Sequence, residues 1–179
     1  MKKFVRSIFF IIFIFCFSFL ANHVQGSEQV SYNLAWPGIL PDNPFYKVKV
    51  LRNKIIEKMI ISPAKKVEFD LLMADKTIFA SKLLLDKGEI PLAKETVLKG
   101  ENYYSQLVQD YNKVLLQNEK IPLVLDRKIT LAAIKHQEIF KEVKSKLRSE
   151  DKKSFEAAEN FSHINYEFIQ ELRTPKNRQ

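Results

Sequence analysis

The residues best placed to do chemistry are Glu159, His163 and Glu167, which follow one another at intervals of four. That spacing puts three side chains on one face of an α-helix. Imidazole and carboxylate groups sharing a face could bind a divalent metal ion or respond to pH. A diiron site in a helical bundle would need Glu-x-x-His, whereas Asn160 stands three residues before His163. The other interpretation is a solvated charged face, and we predict no metal site and no cofactor.

A second histidine, His136, lies within a run of apolar residues at helical spacing. We expect a core or boundary imidazole that makes one hydrogen bond. A ligand role would need a second histidine nearby, and His163 is the candidate. The four glycines are scattered and form no phosphate-binding loop, and neither a nucleophile elbow nor a paired-cysteine motif is present. The sequence therefore predicts no enzymatic activity.

Four basic residues at helical spacing could form a ridge, namely Lys141, Lys144, Arg148 and Lys152. Such a ridge could attract anionic lipid headgroups or acidic polymers of a cell envelope. Acidic residues are interleaved with it, which favours a solvated face instead. The same mixture of charges argues against nucleic acid as a partner.

Residues 1–26 have the layout of a secretory signal peptide. Three basic residues precede a predominantly apolar run over residues 8–21, and a cut is expected before Ser27. As a helix that run spans about 21 Å, which is short of the roughly 30 Å hydrocarbon core of a bilayer. We therefore expect a cleaved signal, with an uncleaved membrane anchor over residues 4–21 as the alternative. Either outcome predicts an extracytoplasmic protein, secreted, periplasmic or at the cell surface.

Removing this segment changes the composition of the chain. The formal charge falls from +8 to +5, and the remaining residues 27–179 contain no cysteine. A disulfide framework and thiol chemistry are therefore excluded for that part. Its length suffices for one sizeable hydrophobic core.

Residues 27–43 form a proline-rich lead-in to the helices. Pro37, Pro41 and Pro44 prevent a helix from running through it. Apolar residues then recur at intervals of three and four, which predicts the first helix. The members of this row are Phe45, Val48, Leu51, Ile55 and Met59, and basic residues occupy the other faces.

The apolar residues of the lead-in are too hydrophobic for a free linker, so we expect them to lie against the helical body. They could form a lid over the core. They could instead form a docking patch for a partner, with Trp36 as its anchor. The residues of this predicted patch are Trp36, Ile39, Leu40, Phe45 and Tyr46.

Start and stop signals delimit four further helices. Ser62-Pro63 begins the second helix and Gly88 ends it. The third contains Gly100, which predicts a kink or the close approach of a neighbour, and ends near Asn118. The fourth follows Pro122, and the fifth begins at Ser149 and ends at Thr174. With short loops and no strand pattern, the sequence predicts an all-α, antiparallel up-and-down bundle of about five helices over residues 44–173, followed by a polar tail at 174–179.

Two stretches resemble a family of domains of unknown function, DUF5667. They are PGILPDNPFYKVKVLRNKI, which begins at Pro37, and SPAKKVEFDLLMADKTIFASKLLLDKG, which begins at Ser62. The matching positions are Leu40, Pro41, Asp42, Pro44, Tyr46, Lys49, Arg52, Lys54, Ile55, Pro63, Lys65, Lys66, Lys87 and Gly88. Phe45, Val48 and Asn53 depart from the pattern, as does the stretch near Asp75–Phe79. The resemblance, over residues 35–115, implies a bacterial secreted or membrane-tethered protein and assigns no activity.

These observations predict a non-enzymatic interaction or scaffold protein of the bacterial cell envelope. Its partner would be an envelope protein or an anionic envelope surface. The alternative is a metal- or pH-responsive periplasmic sensor or chaperone-like helical protein that uses Glu159, His163 and Glu167.

Overall fold

The computed structural model describes residues 32–174, so the predicted signal at 1–26 and the tail beyond Thr174 lie outside the described residues. Within this range the chain forms five α-helices and no strand, which confirms the all-α prediction. The helices are α1 (Tyr46–Met59), α2 (Pro63–Asp86), α3 (Ile90–Leu116), α4 (Leu123–Lys146) and α5 (Lys153–Arg173).

The helix ends follow the predicted stop signals. Gly88 takes a φ of +81°, a left-handed conformation that glycine adopts without steric penalty. Its N–H donates to Leu85 O at 2.8 Å, and the N–H of Glu89 donates to Leu84 O at 2.9 Å. These two bonds satisfy carbonyls at the end of α2 in a Schellman motif. Asn118 closes α3 in the same way, with a φ of +56°.

The start of the fifth helix differs from the prediction. Ser149–Asp151 form a separate 3-10 turn, and α5 begins only at Lys153. The Asp151 carboxylate in this turn accepts a hydrogen bond from Lys94 Nζ at 2.6 Å. The tertiary contact with α3 therefore holds the turn apart from α5.

Helices α2 to α5 form the bundle, in which α2 and α3 are the most closely packed pair. Gly100 on α3 explains this closeness. A Cβ at Gly100 would stand 2.5 Å from Ile78 Cγ1, a distance that real Cβ atoms essentially never show, and a tight 3.1 Å from Ile78 N. The mid-helix glycine thus lets the two backbones approach closely. Of the two outcomes predicted from the sequence, a kink or the close approach of a neighbour, the structure shows the second.

The core divides into two groups of buried residues along the bundle. One surrounds Tyr104, Leu107 and Ile129, and the other surrounds Ile78 and Phe140. The lead-in crosses the second group, against which Leu34 and Leu40 pack. Helix α1 does not join the close packing of the bundle and lies on its outside.

Candidate functional site

Helix α1 faces the rest of the protein with the buried Asn53 and with half-buried residues that include Tyr46, Val50 and Glu57. Asn53, its one buried residue, is 8% exposed, and its Nδ2 donates to Met73 Sδ on α2 at 3.5 Å. One turn earlier, Lys49 Nζ donates to Pro37 O at 2.7 Å and to Ile39 O at 2.9 Å. Polar contacts therefore fix both α1 and the lead-in beside it.

The opposite side of α1 is apolar and faces outward. Phe45, Val48, Leu51, Ile55 and Met59, which we call the outer face of α1, are each between 52 and 74% exposed. On a helix of 3.6 residues per turn they fall within an arc of about 120°, turned away from Asn53. The amphipathicity of α1 is therefore inverted relative to an ordinary surface helix, which buries its apolar stripe. Soluble monomers rarely expose contiguous apolar surface of this kind.

The structure divides the predicted docking patch. Trp36 is 66% exposed and touches Phe79 only edge-on, with ring centroids 5.6 Å apart. Ile39 is exposed, and Phe45 belongs to the outer face of α1. Leu40 and Tyr46 are half-buried, Leu40 against the core and Tyr46 beside Lys49 Nζ at 5.3 Å from its ring. The lead-in thus covers part of the core while it leaves the side chain of Trp36 exposed.

The charges of α1 are predominantly basic. Lys47, Lys54 and Lys58 are exposed and lie on one flank of the outer face. Arg52 turns its guanidinium to Asn53 Oδ1, with Nη2 at 2.9 Å. The one acidic residue of α1, Glu57, is half-buried on the side that faces the body. The outward half of the helix therefore combines apolar and cationic side chains.

A polar network lies inside the bundle around His136. Its Nε2 is 2.8 Å from Asp75 Oδ1, and the hydroxyl of Tyr32 donates to Asp75 Oδ2 at 2.6 Å. His136 is fully buried, which confirms the prediction of a core imidazole with one hydrogen bond. His163 takes no part in these hydrogen bonds.

Glu101 on α3 lies next to this network. Its Oε1 is 4.0 Å from His136 Nδ1, and neither carboxyl oxygen has a hydrogen-bond partner among the described residues. Burial raises the pKa of Glu101 to about 8. A carboxyl with this pKa is mostly protonated at neutral pH, which lowers the free-energy penalty of burying it.

The sequence interpretation missed the partners of His136. Asp75 follows Leu71 by four residues and precedes Ile78 by three, so it occupies a position in the apolar stripe of α2. Glu101 has the same relation to Val97 and Tyr104 on α3. An acidic residue at such a position was the available signal, because a buried carboxyl needs a partner or a proton.

The structure does not bring the three weak metal-ligand candidates, Glu159, His163 and Glu167, together as a site. His163 is 61% exposed, with Nδ1 3.4 Å from Glu167 Oε1. Glu159 instead pairs with Lys144 on α4. Across residues 32–174, no group of three or more His, Cys, Asp or Glu side chains is arranged to hold a metal ion.

The predicted basic ridge is partly neutralised. Lys144 pairs with Glu159, and Arg148 contacts Glu150 at 2.9 Å and Asp151 at 3.3 Å. Lys141 is exposed and Lys152 is half-buried. The ridge is therefore less available to an anionic surface than the flank of α1.

The fold and the outer face of α1 together define an all-α protein with an apolar helix face on its surface. The chain belongs to the family described as "Domain of unknown function (DUF5667)", whose sequence model matches residues 38–150. The match confirms the resemblance and extends beyond residue 115 through α4, ending before α5. No curated protein and no solved structure matches the chain. None of the helices within the described range is long and apolar enough to cross a membrane.

Proposed function

We propose that the protein is a non-enzymatic interaction module of the bacterial cell envelope and that the outer face of α1 is its docking surface. The single observation that carries this proposal is the inversion of α1, which turns Asn53 inward and Leu51 and Ile55 outward. Removing apolar surface from water is favourable by about 25 cal/mol for each Å² buried, and this row exposes five large apolar side chains. A docking partner that covers the row would recover this free energy.

Two further features support placement in the envelope. The apolar run over residues 8–21 is preceded by basic residues, as in export signals. The resemblance to DUF5667 likewise implies a secreted or membrane-tethered protein. The metal- or pH-responsive alternative has less support, because Lys144 neutralises Glu159 and His163 is left with Glu167.

Site-specific photocrosslinking in bacterial cells tests the proposal. A photoreactive residue replaces Leu51 on the outer face in one strain and Ser145, an exposed polar residue of α4, in the control. We expect the chain in the envelope fraction and adducts that depend on the position 51 probe. A chain confined to the cytoplasmic fraction, or equal adduct yields from both positions, would contradict the proposal.

A further inference from the structure

We propose that the outer face of α1 binds the surface of an anionic lipid bilayer, an inference that rests on the proposed docking role of this face. Three features of the helix support it: the direction of its apolar row, the position of its lysines and the location of its single acidic residue.

The apolar row suits a helix that lies flat on a membrane. Interfacial helices place apolar side chains about 5–10 Å into the headgroup and acyl boundary while their axis stays in the membrane plane. The 14 residues of α1 present Val48, Leu51, Ile55 and Met59 along nearly the whole helix. Because α1 lies outside the bundle and its opposite side is fixed to the body through Asn53, this row can meet a flat surface without unfolding any packed element.

The lysines supply charge complementarity. Lys47, Lys54 and Lys58 are spaced by seven and four residues, so they line one edge of the apolar row next to Leu51. Their long aliphatic stems can lie along the apolar boundary while their ammonium groups reach lipid phosphates. No acidic side chain of α1 faces the same way, because Glu57 lies on the body side. An anionic surface therefore meets attraction along this side of α1.

A second copy of the chain fits this face less well. Two α1 helices paired antiparallel through their apolar rows would bring their lysine edges close together with no acidic residue of either outer side between them. Like charges at such distances are repelled. A lipid bilayer offers an apolar layer beneath a negative one, which matches both features of α1 at once.

An environment-sensitive fluorophore tests the proposal in the full chain. The single native cysteine is removed by Cys16→Ser, and the label is attached at Ile55→Cys on the outer face. The control label is attached at Ser145→Cys, an almost isosteric change on α4. The chain is combined with vesicles of phosphatidylcholine alone or of phosphatidylcholine mixed with phosphatidylglycerol. If the chain bound vesicles only through its N-terminal apolar run, both labels would stay in water. The comparison of positions 55 and 145 therefore reports on lipid contact by α1 alone.

We expect the label at position 55 to shift to the blue and to be quenched by spin-labelled lipid only in vesicles with phosphatidylglycerol. The label at position 145 should respond in neither. Each lysine near an anionic surface strengthens binding by about fivefold. The combined Lys47→Gln, Lys54→Gln and Lys58→Gln variant should therefore weaken the lipid contact of α1 on the order of 100-fold, and added salt should weaken it further.

Four results would overturn the inference. The first two are a position 55 label that stays in water and a position 55 label that responds equally to both vesicle types. The third is a response of that label that needs no lipid but rises with protein concentration. The fourth is a stronger response of the label at position 145, beside Lys141 and Lys144. If position 51 still forms envelope adducts with a protein in cells, the proposed function survives such a result. If neither lipid nor protein contacts α1, both proposals fail.

Discussion

His136 Nε2 on α4 lies 2.8 Å from Asp75 Oδ1 on α2, and the other oxygen of the same carboxylate accepts the hydroxyl of Tyr32. One buried carboxylate therefore joins two helices of the bundle to the start of the lead-in. The residues around this carboxylate leave little room for water. His136 is fully buried, and the ring of Tyr104 packs edge-on against the imidazole with the ring centroids 5.5 Å apart.

Removing the imidazole should destabilise the protein strongly. His136→Leu leaves the Asp75 carboxylate buried with Tyr32 alone, and breaking a buried pair in this way costs about 3–5 kcal/mol. Urea unfolding at neutral pH measures the loss. The double variant His136→Leu with Asp75→Leu should be more stable than the single one, because no unpaired charge remains. A loss below about 1 kcal/mol for the single variant would contradict a structural role for the pair.

Glu101 should make stability fall as pH rises. Its pKa is about 8 in the folded chain against an ordinary value of 4.5, so the folded state holds more protons between those two values. The stabilising contribution is complete below pH 4.5 and is lost as pH rises through 8. The groups around it are His136 on α4, Asp75 on α2 and Tyr104 on its own helix.

Glu101→Gln should flatten this pH dependence by an amount on the order of a few kcal/mol between pH 5 and 8.5. Unfolding free energies in urea across that range measure it. A smaller slope should remain, because burial and Asp110 raise the pKa of Asp70 to about 7 and so act in the same direction. If the Glu101→Gln protein loses stability with pH as steeply as the original chain, Glu101 is not the group responsible.

The close contact of α2 and α3 should not tolerate a methyl group. Gly100→Ala gains about 1 kcal/mol of helix propensity but places its Cβ against Ile78. Overpacking of this kind costs typically about 1–3 kcal/mol, so we expect net destabilisation. Thermal unfolding measures it, and adding Ile78→Ala should recover little, because it removes the clash with Cγ1 but also deletes a fully buried side chain. A more stable Gly100→Ala protein would mean that the helices can separate freely.

Trp36 should contribute little to stability. It is mostly exposed and its ring packs edge-on against Phe79, so Trp36→Ala should cost less than about 1 kcal/mol. Leu40→Ala, at a half-buried position of the same lead-in, is the matched control and should cost more because it loses core packing. A larger loss at Trp36 than at Leu40, measured by melting temperature, would favour the lid interpretation for the whole lead-in.

The helices and their ends could be predicted because their signals are local. Ser62-Pro63, Gly88 and Asn118 act through the backbone within a few residues, and each holds its predicted position. The beginning of α5 was predicted too early, because the Asp151 carboxylate is engaged by Lys94 on a different helix. Long-range contacts of this kind leave no local pattern.

The orientation of α1 could not be predicted for a related reason. A spacing of three and four residues identifies one side of a helix but not which side meets the body. Here hydrogen bonds hold the side of α1 that carries Asn53 and Lys49 towards the body. Asn53 donates to Met73, and Lys49 donates to the lead-in carbonyls of Pro37 and Ile39. In the same way, the position of His136 in an apolar stripe predicted its burial, whereas its pairing with Asp75, 61 residues away, needed the fold.

The outward orientation of the apolar row is the feature on which the proposed function depends. The unfolding free energy of Leu51→Glu tests it most directly, with Leu107→Glu in the fully buried core as the reference. We predict that Leu51→Glu stays within about 0.5 kcal/mol of the original chain, as exposed substitutions do, while Leu107→Glu loses several times more. A loss of about 2 kcal/mol or more at Leu51 would contradict the docking surface, because it would place this face of α1 in the core of the free protein.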